Sequence, residues 1–426
     1  MPLKRVLKRV LKHVVLSVTL MGVTACQSST APRDGVPSEI TALPRALSTG
    51  EQGIIAAANR FGPALLTQVN ATRGQANVFI SPLSASMALG MTLNGAAGST
   101  FDEMRAALGF GSMPREAIIA AFRDLITLLR GLDSKVDFRI VNAIWYQQRF
   151  AQSVAPVFLT EAIQFFDAST SALDFANPSS VTTVNEWVKT NTGGKITSIV
   201  DNLPPDLVML LANAIYFKGD WREAFDKSKT TSAPFTTDAG RRVTVPMMQR
   251  VAKARAGVSE GRTVVDLGYG GDAFSMSILL PRTGESVNAM VASLTDASWA
   301  AAMATLASAE VDVSIPRFSL SWEATLNEPL KALGMRSAFT EGGADFTRLS
   351  PTRGRELFIS FVKQKTFVDV NEVGTEAAAV TGVGVSVTSL PQRTVVRVDR
   401  PFVFAIRERL SGTILFMGKI VEPPSN

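Results

Sequence analysis

Three short stretches of the chain carry spacings associated with catalysis. Gly257-Val258-Ser259-Glu260-Gly261 has the Gly-x-Ser-x-Gly pattern of a nucleophile elbow, which needs a preceding strand and a histidine base. Ser360-Phe361-Val362-Lys363 has the Ser-x-x-Lys spacing, but within a strand pattern, where positions three apart face opposite ways. Gly193-Gly194-Lys195-Ile196 lacks the hydroxyl residue that a phosphate-binding loop requires. The only histidine is His13, within a segment that has the marks of a removable leader. No imidazole would then remain for a Ser-His-Asp triad or a His-containing metal site. All three matches are expected to be accidental, the chain is expected not to be an enzyme, and neither a cofactor nor a metal is expected.

The other stretch with chemical potential is one that a different protein would act on. Phe367 to Pro391 begins as a β-branched strand, passes through Gly374 and becomes a run of small residues with almost no charge. Surface loops are ordinarily polar and rich in turn formers. At strand period, Thr375, Ala377, Ala379, Thr381, Val383, Val385 and Val387 share one face. From Thr375 to Thr388 the only charge, Glu376, lies on the other face, with Ala378 and Thr388. Such a segment can become a half-buried strand. An edge strand followed by a flexible loop is an equally good reading of the stretch alone.

The flanking chain bounds what could hold that stretch. The formal charge is +6, but Lys4, Arg5, Lys8, Arg9 and Lys12 lie in the first dozen residues. The remaining 38 basic residues face 37 acidic ones, so no nucleic-acid partner is implied. A basic region to His13, an apolar stretch from Val14 to Ala25 and Cys26 in Val-Thr-Ala-Cys read as a secretory signal. Ending on cysteine, it resembles a bacterial lipoprotein signal, with Cys26 cleaved free and acylated. Gln27 favours sorting to the outer membrane. The expected divisions are a signal over 1–25, a lipidated flexible tether over 26–48 and one domain over 49–426. The expected location is a bacterial membrane, facing the periplasm or the cell surface. Cys26 is the sole cysteine, so no intramolecular disulfide is possible.

Along the domain, Ser48-Thr49 can cap a helix with apolar Ile54, Ala58, Phe61 and Leu65. Ser81 and Pro82 open a second helix that is apolar nearly all round. Leu207 to Phe217 reads as a strand buried on both faces, and Gly270-Gly271-Asp272 as a hairpin turn. Helices are expected from about Val287 to Leu306 and from Glu323 to Leu333. Helices dominate the first half and strands the second, giving a single α+β domain.

Blocks spread over residues 50–423 resemble the serpin family. They are Asn77 to Ser84 with Gly95-Ala96; Asn185-Glu186-Trp187-Val188 with Thr192 to Ile196; and Asn213 to Trp221 with Phe225. Pro316-Arg317-Phe318, Leu333-Gly334-Met335 and Phe339 follow. The last are Asn371 to Ala379, Arg400 to Phe404, and Leu415 to Lys419. The resemblance implies a single domain with a large mixed central sheet, further sheets, eight to nine helices and an exposed reactive loop. It also implies a suicide substrate: a serine protease acylates itself on the loop, which then inserts into the central sheet with the protease attached. Insertion of residues 375–388 would carry the acylated end roughly 45 Å at ~3.3 Å per residue.

The same resemblance assigns a hinge to Glu372, Gly374, Thr375, Glu376, Ala377, Ala378 and Ala379. The small uncharged hinge residues can pass between strands at little desolvation cost. Counting from Gly374 places the cleaved bond at Thr388–Ser389, with Val387 the next choice. Leu390–Pro391 would be a poor substrate because of the rigid imino acid. Thr or Val implies an elastase-like or subtilisin-like serine protease as partner. Ser81, Ser84, Asn213, Trp221, Arg317 and Gln364 fall in the sheet-opening region. Gln364 stands where relatives usually carry histidine, and is expected to bond towards Asn213 and Ser81 or Ser84. Glu372 is expected to pair with Arg317. The protein is expected to be monomeric and, if destabilised, prone to polymerise. The competing expectation is a non-inhibitory binding protein of the same fold.

Overall fold

The computed structural model describes residues 37–204, 206–375 and 393–424. The chain opens with α1 (Thr49–Thr72), β1 (Val78–Ile80), α2 (Pro82–Gly95), α3 (Gly98–Ala107) and α4 (Arg115–Arg130). Next come β2 (Val136–Gln147), α5 (Pro156–Phe166), β3 (Ala168–Leu173), α6 (Pro178–Asn191) and β4 (Met209–Asp220). The middle is β5 (Thr231–Thr236), β6 (Arg242–Ser259), β7 (Arg262–Tyr269), β8 (Phe274–Leu280), α7 (Val287–Ala292) and α8 (Asp296–Ala304). The rest comprises β9 (Ala307–Pro316), β10 (Phe318–Thr325), α9 (Asn327–Ala332), β11 (Lys363–Val370) and β12 (Gly374–Thr375). Strands β13 (Thr394–Arg397), β14 (Phe402–Glu408) and β15 (Ile414–Ile420) close the chain.

Local chemistry sets the first elements. Ser48 caps α1 and shares a reciprocal capping box with Glu51, a motif whose cap alone contributes about 1 kcal/mol. Ser81 caps α2 with Pro82 in the first turn, and α2 is buried along nearly its whole length. Packing then builds two sheets. One runs β10-β11-β12-β4-β2-β3, and the other β1-β15-β14-β8-β7-β6-β9-β13, with β5 beside β6. Phe79 of β1 stacks on Phe404 and Phe416, tying β14 and β15 to the main core beneath α1 and α2. The expected α+β architecture of one domain with a large central sheet is what forms.

Several local expectations change. The helix expected over Val287–Leu306 is two, because Thr295 starts α8 with its own capping box to Ser298. Strand β10 runs through Glu323 to Thr325, where helix is expected. Glu323 faces Lys365 across the ladder and pairs with Lys363 and Lys365. The strand expected over Val395–Ile406 is split into β13, at one end of the sheet path beside β9, and β14, between β15 and β8. Residues 37–48, expected as the end of a free tether, are docked: Ile40 bonds Gly271, and Leu43 and Leu47 pack on the core. Strand β4 is not buried on both faces, since Met209, Leu211, Ala212, Asn213 and Ile215 are half-buried.

Candidate functional site

The half-exposed side of β4 borders a gap in the six-stranded sheet. Strand β12 stands between β11 and β4, with Thr375 opposite Val370 on one side and Gly219 on the other. Only two residues of β12 are described, and beyond them β4 and β11 exchange no ladder among the described residues. Their facing edges leave a cleft of about 200 Å³, walled by β4, by residues 357–365 and by Ser84, Ala85 and Leu89 of α2. Two unpaired strand edges facing each other form a template for one more strand.

At the closed end of the gap, the hinge is held by close fit. A Cβ on Gly374 would lie 2.2 Å from the Gly219 carbonyl oxygen, so only glycine fits there. Thr375 is 2 % exposed, and its hydroxyl lies 2.6 Å from the Tyr269 hydroxyl. Burial pushes the Tyr269 phenol far above its usual range, against a weaker opposite pull from Thr375. Trp221 stacks on Tyr269 at 4.5 Å, donates from Nε1 to the Asn371 carbonyl (2.8 Å) and from its backbone N–H to Val373 (2.8 Å). Glu372 is 3 % exposed; it accepts from the Thr230 hydroxyl (2.8 Å), and Arg317 stands 3.9 Å away. Asp220, opposite Gly374, has its carboxyl raised by burial and partly lowered by Lys218.

Polar residues around the middle of the gap divide into two groups. Gln364 forms a two-bond clasp with the Ser81 backbone, accepting from N–H (3.1 Å) and donating to C=O (2.8 Å). The Ser81 hydroxyl donates to Leu415 O (2.7 Å) and accepts from the Ser84 N–H (3.2 Å), fastening α2 to β15. Asn213 does not join this group: it donates to Asn142 Oδ1 (2.8 Å), its partner across β2 and β4. Asn213 Oδ1 is buried without a partner, and the residue lines the cleft. Its expected bond to Gln364 is therefore absent, because the gap lies between the two strands.

The structure thus brings Glu372, Gly374, Thr375, Trp221 and Arg317 to one end, and Ser81, Ser84 and Gln364 together along one wall. Glu376, Ala377, Ala378, Ala379, Val387, Thr388, Ser389 and Cys26 lie outside the described residues. Tyr269 and Thr230 were not marked by any motif. Both act on the hinge from loops and strands distant in sequence, a relation that only folding creates.

The apparent catalytic motifs have other roles. Ser259 and Arg262 are paired across a hairpin whose turn is Glu260-Gly261, both at positive φ. Gly193 and Gly194 also have positive φ and end α6, with the Gly194 N–H donated to Lys189 O, so they present no helix N-terminus. Ser360 lies before β11 begins at Lys363.

Comparison with known proteins places this arrangement. A family model described as Serpin (serine protease inhibitor) matches residues 56–423. The chain is similar to the human leukocyte elastase inhibitor, 33% identical over 381 residues, spanning 85% of this chain and 98% of that protein. Its structure is similar to that of human thyroxine-binding globulin complexed with thyroxine: TM-score 0.80, 29% identity, 88% of this chain and 100% of the other. It is also similar to tengpin, a thermophilic serpin in the native state, with TM-score 0.78, 29% identity, and 90% and 97% of the two chains covered.

Proposed function

The chain belongs to the serpin family, and from that premise we propose that it is an inhibitor of serine endopeptidases acting as a suicide substrate. The loop following Thr375 is cleaved near Thr388–Ser389. It then enters the gap between β4 and β11, and the acyl-enzyme is carried with it. The observation that supports this most is β12: Gly374 and Thr375 already pair with β4, and Thr375 with β11 as well, at the head of a gap. The remaining hinge, Glu376 to Ala379, carries small side chains apart from one glutamate. Elastase-like or subtilisin-like enzymes are the proposed targets, from the Thr and Val side chains at the cleavage region. The leukocyte elastase inhibitor is a relative in keeping with that choice.

Relatives also include thyroxine-binding globulin, in complex with thyroxine, so a binding role without trapping is the alternative. A panel of serine proteases separates the two. An inhibitor is consumed one to one and yields a complex that survives boiling in detergent, and mass spectrometry of the released C-terminal peptide gives the cleaved bond. Thr375→Arg places an unpaired charge in a site that is 2 % exposed. It should convert trapping into plain cleavage, and a variant that still forms the stable complex would sink the insertion account. Export and acylation at Cys26, with attachment to a bacterial outer membrane, complete the proposal, and intact mass of the mature protein tests them.

A further inference from the structure

The docked segment before α1 is held at both ends. Near α1, Arg45 forks onto the buried Glu51 with two bonds of 2.7 Å. At the other end, Ile40 N–H donates to Gly271 O at 2.7 Å. Arg409 clamps this junction, donating from Nε to Asp272 O (2.8 Å) and from Nη2 to Ile40 O (3.0 Å). The Ile40 side chain covers Gly271, where a Cβ would meet Ile40 Cδ1 at 2.9 Å.

Asp272 of the turn joining β7 and β8 is gripped by Arg255 with bonds of 2.6 and 2.9 Å, and Gly271 of the same turn is fixed from further directions. Its N–H donates to Asp133 Oδ2 (2.8 Å), and the Gly270 N–H donates to Asp220 O (2.9 Å). Tyr269, the last residue of β7, precedes the turn directly, and it carries the hydroxyl on Thr375 and the ring under Trp221. A continuous set of contacts therefore runs from Ile40 through the turn to the hinge.

We infer that Ile40 and Arg409 are positioning residues for the loop hinge: they hold the β7–β8 turn, and the turn holds Tyr269 on Thr375. A loop that must stay outside the sheet until it is cut needs its first residues restrained. The strap adds restraint without touching the loop. Its functional meaning rests on the proposed insertion, but its test does not.

Amide hydrogen exchange on the uncleaved full chain tests it. Ile40→Pro removes the N–H given to Gly271, and Arg409→Met removes the clamp. Each should speed exchange at Gly374 and Thr375 by roughly three- to tenfold, as expected for the loss of one or two hydrogen bonds upstream. Phe416 and Met417 of β15 should keep their rates. Tyr269→Phe, with the strap intact, should reproduce the hinge effect. Two results would overturn the inference. In one, only residues 40–48 and 270–272 exchange faster; in the other, Gly374 and Thr375 accelerate only in step with β15. A chain that never traps a protease would defeat the inhibitory reading and leave this exchange result standing.

Discussion

Lys419 shows how a single side chain can carry a measurable energetic signature. It is 0 % exposed, and its ammonium lies among Asn70 Oδ1, Asn288 Oδ1 and the Gly74 and Arg73 carbonyls, with no carboxylate bonded to it among the described residues. Burial lowers its pKa from 10.5 to about 8, against a weaker raising pull from Asp238. The folded chain therefore releases this proton near pH 8 and the unfolded chain near pH 10.5. Between those values the unfolded state binds more protons, so stability rises with pH. The difference in unfolding free energy between wild type and Lys419→Met should shift in favour of wild type by up to about 3 kcal/mol over that window. A difference that stays flat with pH would show that the ammonium is well solvated by its cage. Nothing in the Gly-Lys pattern of the sequence marks this lysine as buried. Glu372, Arg317 and Trp221 were legible only through resemblance, and the Asn213–Asn142 pair was not legible, since it depends on strand register.

At the scale of elements, sequence pattern succeeded where the local signal and the tertiary environment agree. Ser48 starts a helix through its cap and the apolar face that follows, and Ser81 does so with a proline in the first turn as well. It failed where tertiary pairing overrides propensity. Glu323 is a good helix former, but two lysines across the ladder hold it in β10. The Leu207–Phe217 run promised full burial, yet β4 forms one wall of the gap and leaves part of that run half-exposed. The pairing of β12 between β11 and β4 could not be read from the sequence, and it depends on Gly374. Gly374→Ala would press a methyl group onto the Gly219 carbonyl. We expect it to lower stability in denaturant unfolding by about 1–3 kcal/mol, the usual cost of overpacking. An unchanged midpoint and slope would mean that β12 can leave the sheet without cost.

For the whole molecule, the α+β division was legible from the order of helical and strand patterns, but the strand order was not. Among the described residues, the larger sheet joins β1 to β15 antiparallel and β9 to β13 parallel, pairings between distant parts of the chain that no local pattern encodes. The resemblance supplied a large mixed central sheet and further sheets in advance, but not the order of their strands. The gap between β4 and β11 has a further consequence, expressed as heat capacity. Its cleft of about 200 Å³ is walled by half-buried apolar residues of β4, so an inserted strand would displace water from apolar surface. On the proposed reading, the cleaved and inserted form hides more apolar surface than the uncleaved one, and its unfolding should show the larger heat-capacity change. Calorimetry of the two forms compares them directly. Equal heat-capacity changes would show that the cleft does not take up the loop.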